Sequence, residues 1–352
     1  MYGVGIAQPR GKDPGVSPGT TTKLDEARRD RATGVLLGQA CGDALGVPYE
    51  FLDPPLGLED EPEMRGGGLG PYEPAEYSDD TQMAVCIAQV AAEGSDLTTD
   101  DALDEVAERF LKWSEWEASD IGMQTARVLA AARTGTGRPA ERLRREARRL
   151  HEQTGKTAGN GALMRTGIVG LVALDDLETT ARAARSVAEL THADALAAES
   201  CILWSVGVAI AVKQGTFAGV RQALDFLPSG SRDYWAARLD EAEQGPPDIF
   251  RPNGFTVPAL QAAYSSICTE LASSAPPNGT SIGLHFKRCL TTAIRIGDDT
   301  DTVAAICGAL LGARWGASAI PDRWRADIHG WPGLRGEDLG SLGILTASGG
   351  GG

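Results

Sequence analysis

Two short stretches of the sequence crowd carboxylates and hydroxyls at the entrances of apolar segments. Gly297-Asp298-Asp299-Thr300-Asp301-Thr302 leads into the run from Val303 to Trp315. Val303, Ile306, Cys307 and Leu310 fall at i, i+3, i+4 and i+7, the period of a helix with one buried face. An acidic side chain at a helix N-terminus favours the dipole, and Asp or Thr caps free amides, but one Asp meets that need. Three carboxylates within four residues repel one another, which calls for a compensating cation. Ser78-Asp79-Asp80-Thr81 forms a second such entrance, followed by Met83, Cys86, Ile87 and Val90. Two acidic helix mouths far apart in the chain can converge on one hard-cation site built only from oxygens.

Other residues with chemical potential are less distinctive. Gly155-Lys156-Thr157-Ala158-Gly159-Asn160-Gly161 suggests a phosphate-binding P-loop, but Leu150 stands where that motif needs glycine and no strand precedes it. A turn of exposed amides remains; such a nest can hold a phosphate, although spacing alone favours a plain turn. His192, in Thr191-His192-Ala193-Asp194, reads from spacing as a packed or capping residue at the start of an apolar helix over 195–213. Glu50 follows a helix stopped by Pro48 and precedes a Pro- and Gly-rich stretch, so it sits on a loop. Asp120 can cap a helix over 121–133 or serve as a functional carboxylate.

The elements that must hold these groups read as helices. Ala and Leu dominate the periodic segments of the 352 residues and β-branched runs are scarce, so we expect an all-α, single-domain helix bundle around the acidic cation site. The domain is expected over residues 23–335, with residues 1–22 disordered and 336–352 a flexible Gly-rich tail. Gly34, Gly38, Gly42 and Gly46 recur every four residues in the first helix, from about Leu24 to Ala44, and Ala304, Gly308, Gly312 and Gly316 do so after the acidic mouth. Glycine weakens a helix, so both seams imply close backbone approach at the centre of the bundle. Further helices are expected over 98–116, 138–153, 162–174, 256–272 and 281–294, the second of them as a basic solvated face, with a long loop over 53–76 and a polar surface insertion over 227–253.

Composition narrows the partners. A net charge of -15 argues against a nucleic-acid-binding surface but leaves room for a small anion in a local pocket. Cysteines 41, 86, 201, 268, 289 and 307 lie singly in apolar segments with no C-x-x-C, the pattern of buried thiols in a reducing compartment. No apolar run reads as long enough to cross a membrane and no signal-peptide core is visible, so a cytoplasmic protein is expected.

Several stretches, in order, resemble one family. Gly38-Gln39-Ala40-Cys41-Gly42-Asp43-Ala44-Leu45-Gly46, Glu50-Phe51, Ser78-Asp79-Asp80-Thr81, Gly159-Asn160-Gly161-Ala162-Leu163-Met164-Arg165, Thr191-His192 and Asp299-Thr300-Asp301-Thr302 are similar to motifs of the ADP-ribosylglycohydrolases, over roughly residues 30–330. The departure is Asp298, where the family usually carries a second glycine; it adds charge beside the site. The resemblance implies two magnesium or manganese ions held by Ser78, Asp79, Asp80, Asp299, Asp301 and Thr302. It implies an ADP-ribose diphosphate against Thr157, Gly159, Asn160 and Gly161, and a ribose beside His192. The implied reaction hydrolyses the bond at C1″ of ADP-ribose and frees an acceptor, an arginine-type protein acceptor being favoured. The carboxylates Glu50, Asp79, Asp80, Asp120 and Asp301 are the candidates for catalysis, with Glu50 the acid/base expected to stand free of metal. The rival readings are a non-catalytic ADP-ribose-binding or structural relative, and a two-metal hydrolase of free ADP-ribose derivatives.

Overall fold

A computed structural model describes residues 24–116, 120–273 and 282–351; the expectation for residues 1–22 lies outside them. The frame is an antiparallel helix pair, α1 (Glu26–Gly46) and α12 (Thr300–Trp315). Their glycines face one another. A Cβ on Gly38 would lie 2.4 Å from the Gly308 carbonyl oxygen, one on Gly42 2.1 Å from that of Ala304, and one on Gly312 1.9 Å from that of Gly34. No side chain fits between these backbones, so the two four-residue seams are one interface. Its register carries the C-terminal end of α1 to the N-terminal end of α12, where Gly46 meets Asp301.

The remaining helices wrap this pair in chain order: α2 (Asp79–Ala91), α3 (Asp100–Trp116), α4 (Met123–Ala132), α5 (Pro139–Thr154), α6 (Leu177–Ala188), α7 (Ala195–Gln214), the single turn α8 (Gly219–Gln222), α9 (Ser229–Gln244), α10 (Thr256–Ser273), α11 (Ile282–Arg295), α13 (Asp322–Asp327) and α14 (Gly336–Ala347). The sheet among the described residues is a two-residue antiparallel pair, His329–Gly330 with Leu334–Arg335. One continuous core, including Trp113, Trp204, Trp235, Phe110 and Phe286, joins the layers. All six cysteines are free, and five of them are buried. The loop after Glu50 is tied down at several points: the Glu63 amide donates to the Tyr49 hydroxyl at 2.9 Å and Arg295 donates to the Asp60 carbonyl at 2.9 Å.

Four expectations need correction. The Gly-rich tail from residue 336 is instead α14, up to Ala347. Its glycines mark close packing: a Cβ on Gly343 would lie 2.4 Å from the Ala32 carbonyl oxygen of α1. The helix expected over 162–174 is two short 3-10 turns, Leu163–Arg165 and Gly167–Leu171. Between them the Thr166 carbonyl accepts from the Ser205 hydroxyl at 2.8 Å, and Gly170 presses on the backbone of α7, which breaks the regular ladder. The polar segment after Phe226 contains α9, whose Trp235, Leu239 and Ala242 are buried. There the Trp235 ring N–H donates to buried Glu199 at 2.8 Å. Finally, α7 is long and apolar enough to cross a membrane by length and composition, but residues 197–212 are all buried in the bundle, as in a core helix.

Candidate active site

The seam between α1 and α12 fixes one half of the site and a buried carboxylate fixes the other. Asp43, in the last turn of α1 and fully buried, accepts from the Ser78 amide at 2.9 Å, the Thr81 amide at 3.1 Å and the Thr81 hydroxyl at 2.6 Å. It thereby closes the N-terminus of α2 from outside. Ser78, at the cap position, makes no capping bond with its own side chain, and neither does Asp299 at the cap of α12. The two cap positions therefore contribute no side-chain cap of their own, although Asp301 takes the Thr302 amide at 2.9 Å. The Thr300 hydroxyl, donating to the Gly46 carbonyl at 2.9 Å, locks the second mouth onto the end of α1.

The carboxylates converge. Glu50, Asp299 and Asp301 each offer an oxygen within 4.8 Å of the other two. Asp80 Oδ2 lies 3.3 Å from the Ser78 hydroxyl and 3.4 Å from that of Thr302, while Asp80 Oδ1 and Glu50 Oε2 are buried without a hydrogen-bond partner. Burial first, and then neighbouring negative charge, raises Asp79, Asp80 and Asp301 well above the usual carboxylate range. Orphaned buried oxygens in an all-oxygen, mutually repelling set are what a hard divalent cation satisfies, so these residues fit such an ion. Asp79, Asp80, Asp299, Asp301 and Thr302 face a cavity of about 630 Å³; Ser78 lies behind it, buried against Asp80.

Glu50, the expected acid/base, has its carboxyl beside the acidic mouth, within the cluster with Asp299 and Asp301. It also forms a pair with Asp120. Burial, then the charges of Asp299, Asp120 and Asp79, push Glu50 up to about 10, and burial raises Asp120 as well. Asp120 does not cap α4: the cap position belongs to Gly122, without a side-chain bond. The two carboxyls line the cavity together.

Asp298 has φ +60°, the left-handed region that favours glycine, and is paired through both carboxylate oxygens with Arg251. Its extra charge is thus neutralised outside the cluster.

The opposite wall is the glycine loop, braced by residues 253–256. The Asn160 amide donates to the Gly254 carbonyl at 3.3 Å and the Thr256 amide to that of Ala158 at 2.9 Å. Gly159 and Gly161 line the cavity, where added Cβ atoms would lie 3.1 Å from Gln124 Oε1 and 3.2 Å from Thr125 Oγ1. The Asn160 side chain turns to the acidic mouth: its Nδ2 donates to Asp299 Oδ2 at 2.7 Å and to the Asn253 carbonyl at 3.1 Å. The Thr157 hydroxyl is engaged with His151 Nδ1 at 2.5 Å, so Thr157 contributes backbone and shape to the wall. His192 is buried at the cavity beside this loop.

Sequence reasoning missed four residues that hold this arrangement. Asp43 lies within the Gly38–Gly46 stretch, where spacing gives it no role. Fully buried Asn253 accepts the Asp299 amide at 2.9 Å and donates to the Gly297 carbonyl at 3.0 Å, joining the acidic mouth to the loop brace. Gln124 donates to the carbonyls of Thr157 at 3.0 Å and Thr191 at 3.3 Å. Arg165 is buried beneath the loop. For Asp43, the signal was a charged residue within an otherwise apolar helix segment; Asn253 and Gln124 left no comparable one.

Comparison with known proteins shows the family. A family model described as ADP-ribosylglycohydrolase matches residues 24–348. ADP-ribosylarginine hydrolase Tri1 of Pseudomonas putida is 27% identical over 332 residues, covering 90% of this chain and 79% of that protein. ADP-ribosyl-[dinitrogen reductase] glycohydrolase of Rhodospirillum rubrum is 28% identical, covering 85% and 90%. Human ADP-ribosylhydrolase ARH3 is 26% identical, covering 86% and 90%. A solved structure titled ADP-ribosylglycohydrolase-related protein complex superposes with a TM-score of 0.69 at 26% identity, covering 93% of this chain and all of that one.

Proposed function

We propose that this chain, which belongs to the ADP-ribosylglycohydrolase family and is a hydrolase, removes ADP-ribose from a modified arginine of a protein acceptor. Two relatives named ADP-ribosylarginine hydrolase, 27% and 26% identical, support the arginine reading. The observation that carries it is the Glu50–Asp120 pair at the edge of the acidic cluster. A guanidinium is met best by carboxylates, and among the described residues this is the one acidic pair lining the cavity outside the two helix mouths.

In the proposed reaction Asp79, Asp80, Asp299, Asp301 and Thr302 would hold two magnesium or manganese ions, with Ser78 behind Asp80 and Glu50 at the edge. When bound, such ions orient ribose hydroxyls and supply a polarised water at neutral pH. The chain's own residues do the rest. The glycine loop and His192 hold the diphosphate and ribose, which places C1″ towards the cluster. Asp120 receives the acceptor's guanidinium. Glu50 carries a proton between the leaving nitrogen and the incoming water oxygen. Asn160 and Asn253 keep Asp299 oriented.

The rival readings part from this one in a single assay. The protein is given arginine-linked, serine-linked and O-acyl ADP-ribose, and a nucleic-acid end carrying ADP-ribose, each with EDTA and after restoring magnesium or manganese. Release of ADP-ribose from the arginine conjugate, lost in EDTA and regained with either ion, is expected. Failure to release it with metal present, while another conjugate is cleaved, overturns the acceptor; failure on all of them supports a binding role.

A further inference from the structure

Arg165 lies wholly inside the protein, and no carboxylate among the described residues is within salt-bridge distance of it. Its guanidinium donates to three neutral oxygens. Nη1 reaches the Gly161 carbonyl at 2.9 Å, and Nη2 reaches the Thr191 hydroxyl at 2.7 Å and the Val187 carbonyl at 3.4 Å. The group also stacks over Phe110, 4.9 Å from the ring centre. A buried cation with this much connection to the glycine loop and to the residue before His192 invites the question of what it orders.

The proton inventory answers it. A guanidinium can only donate, so Thr191 Oγ1 accepts from Arg165 and still has its own hydrogen to place. The other partner of this buried hydroxyl is His192 Nδ1 at 2.8 Å. A hydroxyl hydrogen left without an acceptor in the interior is costly, so Nδ1 must be the bare, accepting nitrogen of the ring. The ring proton then sits on Nε2. That atom hangs over the glycine loop, 3.4 Å from where a Cβ on Gly159 would be and 3.5 Å from one on Gly161. Burial and the adjacent guanidinium hold His192 well below its ordinary range, so the ring stays neutral.

We infer that Arg165 is a positioning residue: through the Thr191 hydroxyl it fixes His192 as the Nε2–H tautomer, so that the cavity presents a hydrogen-bond donor above Gly159–Gly161 and selects an oxygen acceptor there. A phosphate oxygen or a ribose hydroxyl lone pair satisfies that donor, whereas an amine or amide N–H in the same place is rejected. The identity of the ligand rests on the proposed function; the state of the ring does not.

The two are separated by reading the ring directly. In ¹⁵N-labelled, ligand-free protein the side-chain nitrogens of the four histidines are recorded, with His192 assigned by its disappearance in His192→Gln. A protonated Nε2 and a bare Nδ1 are expected. Thr191→Val removes the hydroxyl; the ring should become a tautomer mixture and ADP-ribose affinity by calorimetry should fall by about tenfold, the worth of one well-placed hydrogen bond. Thr191→Ser should restore both. Arg165→Lys keeps the charge without the forked donation and should shift the ring towards the same mixture. A wild-type ring protonated on Nδ1 overturns the inference whatever the variants do. An unchanged ring in Thr191→Val does so as well, and an unchanged ring in Arg165→Lys removes Arg165 from it. Wild-type protein that binds no ADP-ribose but shows the expected tautomer refutes the function and leaves the positioning role standing.

Discussion

Asp43 caps a helix to which it does not belong: its carboxylate takes both the amide and the hydroxyl of Thr81, at 3.1 and 2.6 Å, from across the α1–α2 contact. This borrowed cap leaves Ser78, Asp79 and Asp80 free to face other groups. Asp43→Ala would strand the Ser78 amide and the Thr81 amide and hydroxyl in a fully buried place, at about 1–3 kcal/mol for each donor left without a partner. Urea unfolding should therefore show a loss of at least about 2 kcal/mol. Asp43→Asn, which keeps one accepting oxygen, should lose less. An Asp43→Ala protein of unchanged stability would mean that α2 finds its cap elsewhere.

The glycine seam gives a prediction whose sign runs against helix propensity. Gly38→Ala and Gly308→Ala would each strengthen an isolated helix by about 1 kcal/mol. In the protein the new methyl would sit 2.4 Å from the Gly308 carbonyl oxygen or 2.1 Å from that of Gly38. The obstacle is backbone in both cases and cannot rotate away, so overpacking of about 1–3 kcal/mol or more should win. Both variants should melt below the wild type. Because this register also delivers Gly46 to Asp301, they should lose divalent-cation affinity too. A stabilised Gly308→Ala protein would contradict the close approach.

The acidic cluster sets a pH dependence that a cation should cancel. Asp43 is pushed up to about 6 from its ordinary 3.8, chiefly by burial, and Asp79, Asp80 and Asp301 are raised further. A carboxyl whose folded value exceeds its unfolded one holds more protons when folded between the two, so stability falls as pH rises through that window. The protein in EDTA should thus melt at a higher temperature near pH 5 than near pH 8. Excess magnesium or manganese compensates the ionised groups and should flatten or reverse the slope. The same slope with and without cation, followed by calorimetry, would argue that no ion occupies the cluster.

Much of this was legible in the chain because it is written in local spacing. The four-residue repeat of Gly34 to Gly46, and its counterpart from Ala304 to Gly316, named both partners of the central helix pair before their contact was visible. The two acidic mouths were legible for the same reason: Asp79 and Asp80, like Asp299 and Asp301, are near neighbours at a helix start. What stayed hidden depends on contacts between distant residues. Asn253 follows an unremarkable loop, and only its pairing with Asp299, 46 residues on, gives it a role. The glycines of α14 read as a tail because composition cannot distinguish a glycine kept for freedom from one kept for contact, as Gly343 is against Ala32. Asn160 and Thr157 line the cavity, but the direction of their side chains is set by Asp299 and His151, which spacing does not show.

Glu50 is where loss of one proton should separate binding from turnover. It lies within 4.8 Å of Asp299 and Asp301 oxygens, keeps one carboxyl oxygen buried and without a partner, and is raised in part by the Asp120 charge. Glu50→Gln preserves size and hydrogen-bonding capacity but cannot exchange a proton. Removing a general acid/base costs about 10²–10⁴-fold in rate. Turnover of the ADP-ribosylated acceptor should fall by that order while ADP-ribose affinity changes little, since Glu50 is not part of the glycine loop proposed to hold the diphosphate. The proximity of Glu50 to the cluster adds a condition absent from a simple acid/base role: if Glu50 also holds an ion, Glu50→Gln should weaken magnesium or manganese binding, and raising the metal concentration should recover part of the rate. Asp120→Asn tests the partner. Without the Asp120 charge, Glu50 should drop from its raised value towards the ordinary carboxylate range, moving the alkaline limb of the rate profile to lower pH. Full turnover by Glu50→Gln at saturating substrate and metal would transfer the proton to Asp120, and an unshifted profile in Asp120→Asn would dissolve the pair.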